Sequence, residues 1–493
     1  MKTTTTFDDI AFEEYQRVNS FHSEFKFFLK HYLLPLLGVS SQAKLTSCAS
    51  TQSGPLKKSV YFGDDNRTLY FSDSKSLHFK LTYHQKLDFQ DEQTEIENIS
   101  LNVVQAFCNL SKFSYNNNSV QFRSGHLYSS AVTINAIYQM AVQQGICYWI
   151  LGSKNSNAEK LISCLERWSV KTYEGRKVTF GFVINRESNA NSTLTQGDWL
   201  KFMESDYAAV FSDSIHSLIE LDQNCNFSRF LSLTEGGSVE TYELSSNLPI
   251  RFAQCIQKYV RGENVGIFLL HNGDIIVSKK GQIRFIKRNL RWLNFSCAAF
   301  LSAASTFTKK SPEADDLLKE IYATMLDVSL AHTGGIIAVV NDLDGLRSMR
   351  DENPDSRILN QYDDLLGELT DSVLPAPKTR SKAMTKRSES RTMRESDLYL
   401  KRSIIKALIG NTRFQVLDRK LRCELTAMDG ACILTTAGEI VSFGAIIRNK
   451  SGSAGGGRSA ACEELSKYGL AIKISTDGYV ELYINGEICY SIK

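Results

Sequence analysis

Apolar positions in this chain change their spacing from region to region, and the spacing predicts the elements. From residue 7 to residue 37 they recur at helical intervals. Phe12, Tyr15, Val18, Phe21, Phe25, Phe28 and Leu29 share one stripe, which predicts a helix burying an aromatic face. Residues 40 to 58 are rich in Ser, Thr and Gly and read as loop, whereas Tyr61 to Tyr83 alternates enough for two strands. Between 127 and 260 the pattern predicts helix at Ser129 to Gln143, buried strand at Ile146 to Leu151, helix at Asn157 to Trp168, strand at Val178 to Ile184 and a further helix at Ile250 to Val260. Helix–strand units in succession predict an α/β layer with a parallel or mixed sheet. Asn272-Gly273 between short apolar runs is a hairpin signal. Ile283 to Arg288 then alternates apolar with basic residues; this reads as a solvated charged face, with a docking face for an anionic partner as the other reading.

The C-terminal part opens at Ser311-Pro312-Glu313, where serine suits a cap and proline the first helical turn. The helix predicted to Leu330 carries Leu317, Leu318, Ile321, Met325 and Val328 at helical spacing and feeds Thr333-Gly334-Gly335 and a strand, Ile336 to Val340. Periodicity is lost from 342 to 396, and residues 378 to 402 hold nine Lys/Arg, a pattern of a solvated insertion. Ser396 to Ile409 is amphipathic again. Two apolar runs, Cys432 to Thr436 and Glu439 to Ile447, flank Ala437-Gly438 and predict a hairpin. After the glycine-rich stretch Gly452 to Gly457, a helix is predicted from Arg458 to Lys467, with Gly469 as its left-handed cap, and then a strand from Ala471 to Ser475. The fold class expected is mixed α/β. Residues 1–115 form an N-terminal helix plus strands, 116–300 an α/β region, and 301–493 a C-terminal unit with a mixed sheet, flanking helices and a basic insertion at about 345–396.

Composition narrows the function classes. A formal net charge of +3 over 493 residues is too near neutral to single out a nucleic-acid binder, so no nucleic-acid partner is expected. The cysteines number eleven, an odd count without CxxC pairs, which fits a reducing cytoplasmic compartment better than a disulfide framework. No signal pattern opens the sequence, and the apolar run Phe25 to Val39 is broken by Lys30, His31 and Pro35, so no membrane span is expected. There is no Walker-type loop and no His-Glu-x-x-His.

The candidate chemistry lies in the C-terminal unit. Asp429-Gly430-Ala431 places a carboxylate at the start of a strand. Gly455-Gly456-Gly457-Arg458-Ser459-Ala460-Ala461 places a glycine loop at the start of a helix, where amide groups and the helix dipole suit phosphate. Asp429-Gly430 can also be a plain turn, and the glycine loop a plain flexible one. With the strand after Thr333-Gly334, the order of these motifs resembles the diadenylate cyclase domain, in the branch where an N-terminal probable sensor domain precedes it. That family carries Thr-Gly-Ala-Leu-Ile, Asp-Gly-Ala, Gly-Thr-Arg-His-Arg-Ala-Ala and a Ser-Glu-Glu strand end. This chain departs from it at Gly457-Arg458-Ser459, with two arginines fewer, and at Ser475-Thr476-Asp477.

The resemblance implies condensation of two ATP into cyclic di-AMP, a second messenger, with Mg2+ or Mn2+ as cofactor. It implies a two-fold dimer that brings two ATP sites face to face, and control by an unknown ligand of the sensor region. Asp429 is implied as the catalytic, metal-holding residue, with Asp477 as a second carboxylate or merely a hairpin turn. Gly430, Ala431, Gly455, Gly456, Gly457, Arg458, Ser459, Thr333 and Gly334 are implied as nucleotide-binding. The alternative is a nucleotide-binding sensor that has lost turnover along with the arginines.

Overall fold

The computed structural model describes residues 21–37, 43–47, 60–62, 68–72, 77–83, 90–110, 113–116, 119–122, 131–152, 157–188, 196–203, 205, 208, 211–212, 216–232, 248–249, 252–289, 291–305, 307, 312–346, 409–410, 412–447 and 456–492. The fold is mixed α/β, as the patterning predicts, and three sheets carry it. Residues 7–20 of the helix expected over 7–37, the basic stretch 378–402, all but the end of the helix expected over 396–409, and Gly455 lie outside the described residues. No described helix is long and apolar enough to cross a membrane.

The first sheet is a small antiparallel one of β1 (Ala43–Ser47), β2 (Val60–Phe62), β3 (Thr68–Ser72) and β4 (Leu77–Tyr83), in the order β1-β4-β3-β2. Three strands therefore form where two were expected in 61–83, and a fourth forms inside the stretch read as loop. The helical segment from Phe21 buries Phe25, Phe28 and Leu29 as its stripe predicts. Phe25 stacks on Phe107 of α1 (Gln90–Leu110), a helix the sequence reading did not anticipate.

The apolar run 146–151 is no strand; it forms the last turns of α2 (Ala131–Leu151). A short apolar run cannot be assigned by periodicity alone, and here the decision falls to packing. Gly145 sits in mid-helix, and a Cβ added there would come within 2.5 Å of Val103 Cα on α1. The two helices approach so closely only because residue 145 has no side chain.

The second sheet has seven strands: β5 (Phe180–Ile184), β6 (Ser217–Leu221), β7 (Phe227–Ser232), β8 (Val265–Leu269), β9 (Ile275–Lys279), β10 (Gln282–Arg288) and β11 (Arg291–Leu293). Their order is β7-β6-β5-β8-β9-β10-β11, parallel between β5 and β6 and antiparallel elsewhere. Alternate residues face opposite sides. Phe180, Phe182 and Ile184 join α1, α2 and α3 (Asn157–Ser169) in one core, whereas Val183, Phe268, Ile276 and Ile286 join a second core shared with the C-terminal unit. The basic residues of β10 do not form a solvated face. Arg284 pairs with Glu95 at 3.0 Å, Lys287 bonds Gln143 and Glu166, and Arg288 is 1% exposed. Alternating charge on a strand reads as solvent-facing only when nothing packs on that side, and here both faces of the sheet are covered.

The third sheet belongs to the C-terminal unit. It comprises β12 (Gly335–Val340), β13 (Ala431–Thr435), β14 (Ile440–Ala445), β15 (Gly469–Ile474), β16 (Val480–Ile484) and β17 (Glu487–Ile492), in the order β14-β13-β12-β15-β16-β17. β12 and β13 run parallel and the other pairs antiparallel, so the sheet is mixed as expected. Helix α4 (Pro312–Ala331) lies on one face, with Ile321 to Leu330 buried at every position. A helix with no exposed side over nearly three turns is enclosed on all sides, its polar Thr324, Asp327 and Ser329 included. Its neighbours include both the third sheet and the inner face of the second.

One terminal assignment fails. Gly469 is no left-handed cap: it is the first residue of β15, and a Cβ there would strike the Val339 carbonyl. Close strand packing, rather than backbone conformation, requires glycine at 469.

The α1–α2 contact makes a prediction whose sign is informative. Gly-to-Ala in a helix interior ordinarily stabilises by roughly 0.5–1 kcal/mol. Gly145→Ala is expected instead to destabilise, by about 1–3 kcal/mol, in urea unfolding followed by circular dichroism. A higher denaturation midpoint for the variant would contradict this packing.

Candidate functional site

The register of the third sheet brings the separate motifs to one of its ends. β12 pairs with β13 in parallel, Ile336 opposite Ala431, so Gly334 and Asp429 leave the sheet side by side. β15 runs antiparallel to β12, Gly335 opposite Ile474, so its C-terminal exit through Ser475 and Thr476 lies at the same end. At about 4.8 Å between neighbouring strands, these three segments span roughly 10 Å. Helix α5 (Gly457–Leu465) packs over β15 and β12, and its first turn returns to this end.

Arg458 closes the arrangement. A Cβ built on Gly334 would lie 2.7 Å from Arg458 Nη1, 3.1 Å from its Cζ and 3.1 Å from the Thr476 amide nitrogen. The guanidinium therefore rests on Gly334 beside Thr476, joining the first motif to the third. Gly334 is buried with φ +72°, a conformation and a closeness that only glycine meets without strain. Thr333 before it is exposed.

Asp429 is held from behind. Helix α6 (Arg419–Ala427) is capped by Asp418, which accepts from the amides of Lys420 at 2.9 Å and Leu421 at 3.1 Å. Arg419 and Arg422 bind Asp327 and Glu320 on α4, fixing the helix sideways. At its end, Gly335 abuts the Thr426 carbonyl so closely that no Cβ would fit. Asp429 follows within three residues and is exposed. Gly430, at φ +109°, lies against the backbone of Gly444, where a Cβ would come within 2.6 Å of the Gly444 oxygen. Strand packing thus accounts for glycine at 430. Ala431 is fully buried, its methyl group in the core between sheet and α5.

Gly456 precedes α5 with φ +87° and no side-chain cap, and both it and Gly457 are exposed. Ser459 points inward and is 3% exposed. Its hydroxyl accepts from Lys473 Nζ at 2.7 Å, and the same ammonium donates to Glu481 at 2.8 Å. Tyr483 donates its hydroxyl to Glu481 at 2.9 Å, and burial, with Glu481 beside it, pushes that phenol up so that it stays a donor. A second cation thus stands under the first turn of α5. Sequence reasoning missed it, although one Lys in Leu470-Ala471-Ile472-Lys473-Ile474 and one Glu in Val480-Glu481-Leu482 were visible. They are directly opposed in the ladder, the pairing that stabilises sheets.

Asp477 occupies the β15–β16 turn, where the Gly478 amide donates to the Ser475 carbonyl at 2.9 Å. It is exposed and at the same end of the sheet as Asp429. Among the described residues no group of three or more His, Cys, Asp or Glu side chains could hold a metal ion. One or two exposed carboxylates fit Mg2+ or Mn2+ shared with phosphate oxygens, not an ion enclosed by protein ligands alone. Cys432 and Cys462 are buried, and burial pushes the Cys432 thiol up to about 12, so neither supplies a nucleophile near neutral pH.

No known protein family matches this chain, and neither does any curated protein or any solved structure.

Proposed function

We propose that the end of the third sheet is a nucleotide site and that the chain is a diadenylate-cyclase-like nucleotidyltransferase acting on ATP in the cytoplasm. The observation that carries this reading is the meeting of Gly334 and Thr476 at the Arg458 guanidinium, with Asp429 leaving the sheet on the neighbouring strand. Four segments far apart in sequence converge there, and their side chains are a carboxylate, hydroxyls and one arginine.

Each residue has a task in this reading. The uncapped amides of Gly457 to Ser459 receive phosphate oxygens, with the positive end of the helix dipole behind them. Arg458 adds a charged fork, and Gly334 leaves it room to lie flat. Lys473 orients Ser459 and places a positive charge below the loop. This partly makes up for arginines that the resembled family has at 457 and 459. Asp429, joined in this reading by Asp477, would hold Mg2+ or Mn2+ against the phosphates. The ion's contribution is to neutralise phosphate charge and lower the barrier to hydroxyl attack. The overall reaction converts two ATP into cyclic di-AMP and two pyrophosphates, each 3′-oxygen replacing pyrophosphate on the other nucleotide's α-phosphorus. Two copies must face each other for that, in a two-fold dimer. Incubation with ATP and Mn2+ or Mg2+, read by mass spectrometry, tests this: cyclic di-AMP is the expected product. ATP binding without product would favour the reading as a sensor without turnover, and no binding would overturn both.

Asp429→Asn keeps shape and removes charge. Turnover is expected to fall by orders of magnitude while ATP affinity in the absence of metal stays near that of the parent. Arg458→Ala removes a charged hydrogen-bond donor worth about 1.5–3 kcal/mol, so calorimetric titration should show ATP affinity lower by roughly ten- to a hundredfold. Lys473→Met combined with Glu481→Gln, which avoids stranding a buried carboxylate, should keep the fold and weaken ATP binding by roughly three- to tenfold, about 1 kcal/mol. Unchanged affinity in both Arg458→Ala and the double variant would remove the loop from the site.

A further inference from the structure

The two segments against which Arg458 rests are gripped from behind by the second sheet. Arg288, the last residue of β10, is fully buried and donates through Nε and Nη2 to Asp274 Oδ2 at 2.9 and 2.6 Å. Its guanidinium also lies over the Phe295 ring, 6.0 Å from the centroid, and its remaining side-chain hydrogen bonds go to the C-terminal unit. Nη1 donates to Ser329 Oγ at 3.2 Å and Nη2 to the Ser329 carbonyl at 3.3 Å. Ser329 Oγ in turn donates to the Gly478 carbonyl. Gly478 is pressed so closely on Arg288 that a Cβ would fall on Nη1, and its φ of +78° already requires glycine. Asp274 also bonds His332 Nε2 at 3.2 Å, and Asn272 donates to the Leu330 carbonyl at 2.8 Å. Burial alone would raise the Asp274 carboxyl, but the bonds from His332 and Arg288 hold it below its usual range.

Three residues of the second sheet, Asn272, Asp274 and Arg288, thus hold the exit of α4 at Ser329, Leu330 and His332, and the β15–β16 turn at Gly478. Two residues beyond His332 is Gly334, and two residues before Gly478 is Thr476. Those are the two positions beside the Arg458 guanidinium. The α4–β12 connection carries two positive φ values, His332 at +55° and Gly334 at +72°; for a non-glycine residue such as His332 that conformation is costly and persists where neighbouring groups hold it. A buried ion pair adds little net stability over apolar packing, but it imposes one geometry.

We propose that Arg288 is a positioning residue of the nucleotide site, supplied by the N-terminal part of the chain. Through Asp274, Ser329 and Gly478 it sets the spacing of the two loops that seat Arg458. A ligand that shifts the 272–274 turn against β10 would then alter phosphate affinity without touching the phosphate loop. The proposal rests on the nucleotide reading above, and its test separates the two.

The full chain is compared with Arg288→Lys, which keeps the charge and loses the fork, and with Ser329→Ala, which removes the hydroxyl link without adding volume. Hydrogen exchange in the absence of nucleotide and calorimetric binding of α,β-methylene-ATP are the readouts. Amides of 332–335 and 475–479 are expected to exchange roughly tenfold faster in Arg288→Lys, with β9 and β12 as protected as in the parent. Analogue affinity should drop by roughly five- to thirtyfold, with smaller changes of the same sign in Ser329→Ala. Loops and affinity that stay at parent values overturn the positioning role. Uniform loss of protection in both variants also overturns it, because Arg288 would then be a residue of general stability. A parent that binds no nucleotide overturns the nucleotide reading and the positioning role together, and the exchange data then report only a structural clamp.

Discussion

Helix α4 has no solvent-facing side over its last three turns, and the rest of the molecule is arranged to enclose it. Ile321 to Leu330 touches two sheets and α6. Burying this much apolar surface fixes how the second and third sheets meet, since neither can turn away without exposing it. Of the polar groups carried into that core, Asp327 and Ser329 are bound by Arg419 from α6 and Arg288 from β10, and Thr324 donates to the Glu320 carbonyl within the helix. The helix therefore joins the two units apolarly along its length and by hydrogen bonds from Arg288 and Asn272 at its exit.

That exit matters because of where it leads. The chain passes from α4 through His332 and two further residues into the central strand of the third sheet, and the candidate site begins in those residues. Several glycines nearby serve close backbone approach: Gly335 on Thr426, Gly430 on Gly444, Gly478 on Arg288 and Ser329. Such contacts permit little adjustment, since a packed interior transmits displacement instead of absorbing it. In contrast, the groups offered outward, Asp429, Thr333, Gly456, Gly457 and Asp477, are all exposed. A rigid frame with an accessible polar rim is the arrangement expected of a site that binds and reorients a charged ligand.

Much of the third sheet could be read from sequence. The strands at 336–340, the 431–445 hairpin and the helix after the glycine loop each carry a clear apolar period with a turn residue beside it. The class of fold was legible for the same reason. The strand expected at 146–151 was not, because a continuous apolar run has no period and its helical state depends on Gly145 meeting Val103 on a helix more than thirty residues earlier. The solvated face expected for β10 failed similarly: nothing local reveals that Glu95, Glu166 and Asp274 wait opposite its three basic residues. The candidate site residues stand in the sequence as motifs. Their convergence, and the parts played by Lys473 and Arg288, required the strand order, which no single-strand pattern specifies.

The proposed function requires the segments at the end of the third sheet to act as one site. Hydrogen exchange of the full chain with and without saturating Mg-ATP measures that directly. Slowed exchange is expected in 332–335, 428–431, 456–461 and 475–478 together, with the edge strand 487–492 unchanged. Protection confined to a single one of these segments, or absent from all of them, would contradict it.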